Sequence, residues 1–329
     1  MRNKKQGLCS KIALMICLLV VTRASLFSQQ KETLTIGFYN LENAFDTLND
    51  GGKQDGEYLP AGRRKWDTPK YQNKLNHIVR VILAANEWEG LDVVGVCEVE
   101  NKNVLFDIIR HPLMKQYGYR FVHEESPDVR GIDVALLYKK GITYVGHRAI
   151  PIQLVGRPTR DILHVTLRPP SKDTLHLLVN HWPSRMGGAA KSEPKRLKAS
   201  ETLVDYIIQS QLNEKHTIVM GDFNDEPDDS SVHQVVAAGF TNLSDGDSCA
   251  SHKYKAAWAA LDQVMVSESL VNTEAKNYSV KKYSVFRTEW LLEKDAQYGG
   301  VKPFRSWDGL GYQGGYSDHL PVVLTLSGL

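Results

Sequence analysis

The chain has 329 residues, of which 42% are hydrophobic and 24% are charged. These values are ordinary for a globular protein, and they exclude a fibrous, disordered or disulfide-dense protein. Lys and Arg number 40 against 38 Asp and Glu, so the formal net charge is +2. The chain can bury a large core, but its length alone does not separate one large domain from two small ones.

The first 28 residues have the layout of a secretory signal peptide. Basic side chains precede an apolar run over 12–21, and small and polar residues follow at 24–28. The apolar run is about half the roughly 20 residues that a membrane-spanning helix needs, so a membrane anchor is the less favoured interpretation. Ile16 before Cys17 is too bulky for a lipoprotein cleavage site. We expect cleavage and release into the periplasm or the medium, without a stable membrane anchor.

Cleavage would change the charge of the protein. Residues 1–28 carry five of the 40 basic residues and no acidic ones, which leaves 35 basic against 38 acidic residues and a net charge of −3. The remaining chain therefore lacks the basic charge that often accompanies nucleic-acid binding. Cys97 and Cys249 remain, and the sequence leaves open whether they form a disulfide or two separate buried thiols.

The first predicted strand is followed by polar side chains. Thr33–Tyr39 alternates apolar and polar residues, as a strand does, and it leads into Asn40 and Glu42. The segment 46–67 is rich in Gly, Asp and Lys and is predicted to be a long surface loop. Chemically useful side chains thus lie where a strand ends.

A helix is predicted to start at Thr68, which offers an N-cap, with Pro69 at the first helical position. Apolar residues at offsets of 4, 7, 8, 11 and 12 from Tyr71 give this helix one apolar face. The mostly apolar run over 92–97 is predicted to be the strand against which it packs. Glu98 directly follows that strand, so a second acid lies at a strand end.

The rest of the chain continues this pattern of strands and helices. A further helix is predicted to begin near Ser192. No repeat or linker divides the chain, so we predict one catalytic domain over 32–329. The further predicted strands are Asp133–Tyr138, Ile142–Ala149, Ile162–Leu167, Leu175–Val179, Thr217–Met220, Asp262–Val266 and Pro321–Leu326.

Carboxylate, carboxamide and imidazole groups are concentrated at these strand ends. The ends of adjacent strands meet at one rim of a sheet, so folding would bring such groups into one site. Oxygen ligands without a Cys/His cluster suit Mg²⁺, with Mn²⁺ or Ca²⁺ as alternatives, better than zinc. The residues concerned are Asn40, Glu42, Glu98, His181, Asp222, Asn224, Asp262, Asp318 and His319.

The motifs around these residues occur in an order that resembles the endonuclease/exonuclease/phosphatase superfamily, which includes deoxyribonucleases, sphingomyelinases and inositol-polyphosphate phosphatases. The most specific motifs are Gly-Asp-Phe-Asn at 221–224 and Ser-Asp-His-Leu-Pro-Val at 317–322. The resemblance implies a four-layer α/β-sandwich with two mixed β-sheets face to face and helices outside. The other motifs are Tyr-Asn-Leu-Glu-Asn, Val-Cys-Glu, Gly-Ile-Asp-Val-Ala-Leu-Leu-Tyr, Asn-His-Trp-Pro-Ser-Arg and Leu-Asp-Gln-Val-Met-Val.

The resemblance also implies the metal site. Glu98 corresponds to the principal metal ligand, with Asn40 and Glu42 near the metal and Asp318 as a further candidate ligand. Glu42 has an alternative role as a hydrogen-bond partner of a ligand.

The same resemblance assigns catalytic roles. Asp222 corresponds to the carboxylate that positions or deprotonates the attacking water, and Asn224 to the amide that holds a phosphate oxygen. His319 corresponds to the imidazole that contacts the scissile phosphate, and Asp262 to the acid that orients and charges it. His181 corresponds to the residue that assists the leaving group.

Two residues outside this set have competing interpretations. Arg185 follows His181 where relatives contact phosphate, so it is a candidate substrate-binding residue or else a solvated loop arginine. Asp133 is expected to hold Arg130 or Arg160 rather than to act in catalysis.

Within the superfamily, the resemblance favours an exported nuclease with DNA or RNA as its substrate. The alternatives are a sphingomyelinase-like or sugar-phosphate hydrolase and a non-catalytic binding protein on the same fold. No protein partner is inferred, and a monomer is expected. Which group takes the proton of the attacking water stays open.

Overall fold

The structure of the protein is a computed structural model that describes residues 33–170, 173–271 and 278–328. The predicted signal peptide, residues 1–28, lies outside these ranges, so its cleavage stays a prediction. Among the helices within the described ranges, none combines the length and the apolar character that crossing a bilayer requires.

The strands and helices follow one another along the whole described chain. In chain order the strands are β1 (Thr33–Ala44), β2 (Val93–Val99), β3 (Arg120–His123), β4 (Asp133–Tyr138), β5 (Thr143–Ile150), β6 (Ile162–Arg168), β7 (Leu175–His181), β8 (Thr217–Asp222), β9 (Phe240–Asn242), β10 (His252–Tyr254), β11 (Ala257–Ala259), β12 (Asp262–Ser267), β13 (Ser279–Val285), β14 (Leu292–Lys294), β15 (Val301–Pro303), β16 (Trp307–Asp308), β17 (Gly311–Tyr312) and β18 (Val322–Ser327). The α-helices are α1 (Thr68–Ala84), α2 (Lys102–Arg110), α3 (Ala189–Gln209), α4 (Ser230–Ala237) and α5 (Glu268–Val271).

Two six-stranded mixed sheets form the framework of the described residues. The first sheet has the strand order β13-β18-β1-β2-β4-β3, and the second has the order β5-β6-β7-β8-β12-β9. β1 and β2 are parallel in the first sheet, as β7 and β8 are in the second, whereas their other neighbours are antiparallel. The expected pair of mixed sheets is thus confirmed.

The core consists of three apolar layers. Phe38 from the first sheet and Met220 from the second belong to the layer between the sheets. Tyr39 and Leu75 belong to the layer between the first sheet and α1. Because successive strand residues face opposite sides of a sheet, neighbours such as Phe38 and Tyr39 enter different layers. Val219 likewise packs with Leu203 of α3 outside the second sheet, which completes the expected four-layer α/β-sandwich.

Helix starts differ in detail from their predicted positions. Asp67, not Thr68, is the N-cap of α1, because its carboxylate accepts a hydrogen bond from Lys70 N at 3.1 Å. α3 begins at Ala189 rather than near Ser192. Gly188, with φ of 111°, adopts a conformation that suits glycine and precedes the first turn.

Two expectations about individual side chains are settled by the structure. Cys97 and Cys249 are both free and buried, so they do not form a disulfide. The expectation for Asp133 is wrong. Its carboxylate accepts hydrogen bonds from Ser126 and contacts His123, whereas Asp128 pairs with the arginines at 130 and 160.

Candidate active site

Strand register brings three of the predicted catalytic residues into one row. His181 ends β7 directly beside Asp222 at the end of the parallel strand β8. Asp262 begins β12 and is the antiparallel partner of Asp222 on its other side. These three side chains therefore occupy one rim of the second sheet, and each is at most 4% exposed. We call them the catalytic row.

The facing rim of the first sheet is built on irregular backbone. The pairing of β1 with β2 shifts between Asn40 and Ala44, and the pairing of β2 with β4 shifts between Cys97 and Val99. Within these bulges Glu42 and Glu98 adopt φ of 49° and 59°, in the left-handed region that non-glycine residues rarely occupy. Bulges of this kind redirect side chains at strand ends and are common next to active sites.

A direct hydrogen bond between Asn40 and Asp222 joins the two rims, and a second one holds Ser317 against Asn40. Asn40 Nδ2 donates to Asp222 Oδ2 at 3.0 Å, and the buried Ser317 Oγ donates to the Asn40 carbonyl at 2.7 Å. Ser317 precedes Asp318 and His319, which lie just before β18. The last strand of the first sheet thus delivers these two residues to the catalytic row of the second.

His319 and Asp262 form a buried hydrogen-bonded pair. His319 Nδ1 lies 2.6 Å from Asp262 Oδ2, which also accepts a hydrogen bond from Ser251 Oγ at 2.5 Å. Burial lowers the pKa of His319, but the charges of Asp262 and Asp222 outweigh burial and raise this pKa well above its usual value. His319 is therefore an imidazolium at neutral pH. Its Nε2 lies 3.9 Å from Asp222 Oδ2.

Asp222 is a buried carboxylate whose protonation changes near neutrality. Burial raises the pKa of Asp222 to about 7, against the opposing charge of His319. Its Oδ1 accepts a hydrogen bond from Asn224 N at 2.9 Å, which leaves Oδ2 near both histidines. A carboxylate with such a pKa is suited to accept a proton at neutral pH.

His181 has the opposite character to His319. Burial and the nearby charges of Arg160 and Arg130 lower the pKa of His181 well below its usual value, so this imidazole is neutral. Its Nε2 lies 3.8 Å from Asp222 Oδ2 and 3.9 Å from Glu98 Oε1. Its buried Nδ1 has no hydrogen-bond partner among the described residues.

Glu42 lies within this site but uses its carboxylate to hold other parts of the chain. It accepts hydrogen bonds from Ser306 N at 2.5 Å, Trp307 N at 3.3 Å and Arg305 Nε at 3.3 Å. Burial, followed by the charge of Asp318, raises the pKa of Glu42 to about 7. These contacts hold residues 305–307 rather than a candidate metal ligand, so both predicted roles of Glu42 stay predictions.

Asp318 and Arg305 connect Glu42 to the catalytic row. Arg305 Nη2 donates to Asp318 Oδ2 at 3.0 Å. Burial raises the pKa of Asp318, but the charges of His319 and Arg305 outweigh it, so the net shift is downward. Asp318 is thus a stable carboxylate next to His319, where it could still approach a cation.

Arg185 and Asn224 contact each other rather than an open cleft. Arg185 Nε donates to the Asn224 carbonyl at 2.7 Å, and its Nη2 donates to Asp229 Oδ2 at 2.8 Å. Asn224, with φ of 52°, donates from Nδ2 to the Trp182 carbonyl at 3.0 Å. Arg185 therefore fixes the loop after β8, and its contact with substrate phosphate stays a prediction.

Glu98 offers one free carboxylate oxygen to a divalent cation. Glu98 Oε2 accepts a hydrogen bond from Asn43 N at 2.8 Å, whereas Oε1 makes no hydrogen bond within the described ranges. Three groups of candidate ligands, each with its ligand atoms within 4.8 Å of one another, contain residues of the site, namely Cys97/His181/Asp222, Asp222/Asp262/His319 and His252/Asp318/His319. The free Glu98 oxygen and the adjacent carboxylates are the donors that Mg²⁺ prefers.

Several residues that shape the site were not predicted from sequence. Lys74, buried in α1, donates from Nζ to Ser306 Oγ and the Tyr316 carbonyl, both at 2.7 Å. Burial lowers its pKa to about 8. Arg160 donates to the Trp182 carbonyl at 2.7 Å. An isolated lysine or arginine in a sequence gives no signal of this kind, because only the tertiary fold provides its partners.

Comparisons with known proteins agree with this architecture. A sequence model described as the Endonuclease/Exonuclease/phosphatase family matches residues 35–328. No curated protein matches the chain. Solved structures of similar fold include an endonuclease/exonuclease/phosphatase family protein from Bacteroides thetaiotaomicron, with 15% identity and a TM-score of 0.56 over 91% of this chain and 98% of that one.

Two further structures have similar folds but different functions by name. D. rerio TDP2 complexed with single-strand DNA product has 17% identity and a TM-score of 0.57, covering 90% of this chain and 99% of that one. A B. thetaiotaomicron mannosyl-6-phosphatase has 14% identity and a TM-score of 0.54, covering 89% of this chain and 99% of that one. At these identities the likeness shows the fold alone.

Proposed function

The chain belongs to the endonuclease/exonuclease/phosphatase family, and from this membership we propose that it is an exported, Mg²⁺-dependent nuclease that hydrolyses phosphodiester bonds. The observation that carries the proposal is the convergence of Asp222, the His319–Asp262 pair and Glu98 at facing rims of the two sheets. A carboxylate that accepts a proton, a positively charged hydrogen-bond donor and a free carboxylate oxygen for a metal are the groups that this hydrolysis needs.

The charges at the site support a division of labour between its residues. Above pH of about 7 Asp222 is ionised, so it accepts the proton of the attacking water. His319 is already protonated and therefore donates a hydrogen bond to a phosphate oxygen instead. His181 is neutral, and we assign it to hydrogen bonding with the leaving oxygen. The water oxygen bonds to phosphorus as the bond to the leaving oxygen breaks.

The metal would be held on the Glu98 side of the site. Glu98, Asn40 and Asp318 are its proposed ligands, with Glu42 orienting the Arg305 segment behind them. A bound Mg²⁺ offsets the negative charge that develops on phosphate oxygens during attack. Mn²⁺ or Ca²⁺ are the alternative ions.

A nucleic-acid substrate is supported by the structural similarity to a TDP2 complexed with a DNA product. The predicted signal peptide, if cleaved on export, would place this activity outside the cytoplasm. A phosphomonoester or lipid head-group substrate is the second candidate, supported by the similarity to a mannosyl-6-phosphatase. A non-catalytic binding protein is disfavoured because every predicted catalytic position carries the expected residue.

Hydrolysis by the protein without residues 1–28 tests the proposal. The substrates are plasmid DNA, single-stranded DNA, RNA, sphingomyelin, mannose 6-phosphate and bis-p-nitrophenyl phosphate, each with Mg²⁺, Mn²⁺, Ca²⁺ or EDTA. Metal-dependent cleavage of nucleic acid that is lost in Asp222→Ala is the expected result. If only the lipid or the sugar phosphate is cleaved, the second candidate substrate is correct. If no substrate is cleaved, a binding protein is favoured.

A further inference from the structure

A basic pocket lies beside the candidate active site. Its volume is about 170 Å³, and it is formed by the loop before β6, the residues after His181 and the first turns of α3. We call it the arginine pocket. The residues that define it are Arg130, Arg157, Thr159, Arg160, Ser184 and Lys195.

The charge of the arginine pocket is strongly positive. Four cationic side chains line it, against a single carboxylate from Asp128. Asp128 pairs with Arg130 at 3.3 Å and with Arg160 at 3.2 Å. Arg157 and Lys195 are exposed and form no ion pair within the ranges that the structure describes. The pocket therefore has positive charge that its own residues do not neutralise.

Two buried polar atoms in the wall of the pocket have no protein partner. Arg160 is 4% exposed, and its Nε has no hydrogen-bond partner among the described residues. The neighbouring Thr159 is 3% exposed, and its Oγ1 is also without one. Buried polar atoms are almost always paired, so Thr159 and Arg160 have hydrogen-bonding capacity that the described residues do not use.

The pocket is connected to the catalytic row through one peptide carbonyl. The Trp182 carbonyl, next to His181, accepts hydrogen bonds from Arg160 Nη2 at 2.7 Å and from Asn224 Nδ2 at 3.0 Å. Pro183 and Ser184 then continue directly into the pocket wall. A group bound in the pocket would thus lie close to, but apart from, a phosphate held between His181 and His319.

We propose that the arginine pocket binds a second phosphate group of the substrate, next to the phosphate that is hydrolysed; this rests on the proposed function. One water needs about 10–15 Å³ of such space, so the pocket admits a hydrated phosphate. Arginine and lysine favour phosphate oxygens through charge-assisted hydrogen bonds. The site would select substrates with at least two phosphates, as in an oligonucleotide, over an isolated diester.

This role differs from the one predicted for Arg185. The Arg185 guanidinium is held by Asn224, Asp229 and their neighbours, whereas Arg157 and Lys195 have no such partners. Arg157 and Lys195 are thus available to a phosphate in a way that Arg185 is not.

Dinucleotides that differ by one terminal phosphate provide the kinetic test. We would compare kcat/KM for TpT, pTpT and TpTp, using the wild type, the Arg157→Gln/Lys195→Gln double variant and Arg168→Gln. Arg168 is an exposed arginine at the far end of β6 and serves as the matched control. The wild type and the control should prefer one phosphorylated dinucleotide by about 10- to 100-fold, and the double variant should lose most of that preference.

A binding measurement separates this proposal from the proposed function. Inorganic phosphate with EDTA should raise the Tm of the wild type and of Arg168→Gln, but not that of the double variant. If phosphate raises the Tm in this pattern and no dinucleotide is cleaved, the arginine pocket binds phosphate but the nuclease proposal is wrong. The pocket proposal is wrong if phosphate raises the Tm of all three proteins equally or of none. It is also wrong if the double variant keeps the substrate preference of the wild type.

Discussion

His181 and Asp222 end adjacent parallel strands in the same register, and His181 Nε2 lies 3.8 Å from Asp222 Oδ2. The two groups are on one sheet rim but have opposite pKa shifts. Burial lowers the pKa of the imidazole and raises the pKa of the carboxyl to about 7. Both shifts favour the neutral forms of the imidazole and the carboxyl. Two charged groups are therefore not buried together at this position. The pH dependence expected for Asp222 rests on this relationship.

Replacement of Asp222 by Asn should remove the proton acceptor while keeping its shape. We expect Asp222→Asn to lower kcat by about 10²- to 10⁴-fold, the usual contribution of a general base. The wild-type rate should rise with pH through the pKa of about 7, and this limb should disappear in the variant. Asp228→Asn, an exposed change six residues along the chain, is the control. If Asp222→Asn keeps the wild-type kcat, another group is the general base.

Asp262 should set the pH above which His319 loses its proton. In the folded protein the carboxylates hold the His319 pKa above its unfolded value. The stability gained from His319 is therefore complete below the unfolded pKa and is lost as pH rises through the folded pKa. In Asp262→Asn the decrease of kcat/KM on the alkaline side should begin at a lower pH than in the wild type. Measurement of kcat/KM over a series of pH values tests this. An unmoved limb would mean that another group controls it.

Metal removal should abolish hydrolysis, and Glu98 should determine how much metal restores it. Loss of a residue that only orients a ligand costs about 10- to 100-fold in metal affinity, so Glu98→Gln should need at least that much more Mg²⁺. Titration of activity with Mg²⁺ after EDTA treatment measures this. Glu89→Gln, an exposed change in the turn after α1, should follow the wild-type curve. If Glu98→Gln does so too, the metal is held elsewhere.

Glu100 should make the protein less stable as pH rises. Burial raises the pKa of Glu100 to about 8, so between about 4.5 and 8 the folded state keeps a proton that the unfolded state loses. Stability then falls with rising pH, by at most about 1.4 kcal/mol per pH unit. Glu100→Gln should make the fall in stability with pH less steep in urea unfolding at pH 5, 7 and 9, while the raised pKa values of Asp222 and Glu42 keep part of it. The exposed change Glu87→Gln should leave the slope unchanged. Equal slopes in the wild type and both variants would contradict the prediction.

Sequence patterns predicted the strands of the core well because short apolar runs and the polar residues that flank them are local properties. Asp133–Tyr138 was predicted with its observed limits, and the rim residues Asn40 and Asp222 do meet. The roles of these residues came from ordered motifs rather than from spacing. Helix starts were less certain, since Asp67 and Thr68 are both suitable caps.

Other features of the site depend on tertiary contacts that no local pattern encodes. The left-handed backbone at Glu98 follows from a bulge in the pairing of β2 with both neighbours. Lys74 resembles any helical lysine in the sequence, yet it is buried against the segment that carries Ser306. Similarly, nothing local distinguishes Arg160 from an exposed arginine.

The order of the strands also determines when the site can exist. β1 pairs with β18, whose residues are almost 300 positions later in the chain, and His319 lies just before that strand. While the chain is being synthesised, Asp222 and Asp262 can already be paired across β8 and β12. The imidazolium, however, is still absent. A chain that has been translated only as far as β12 therefore has the carboxylates of the site without the imidazole that pairs with Asp262.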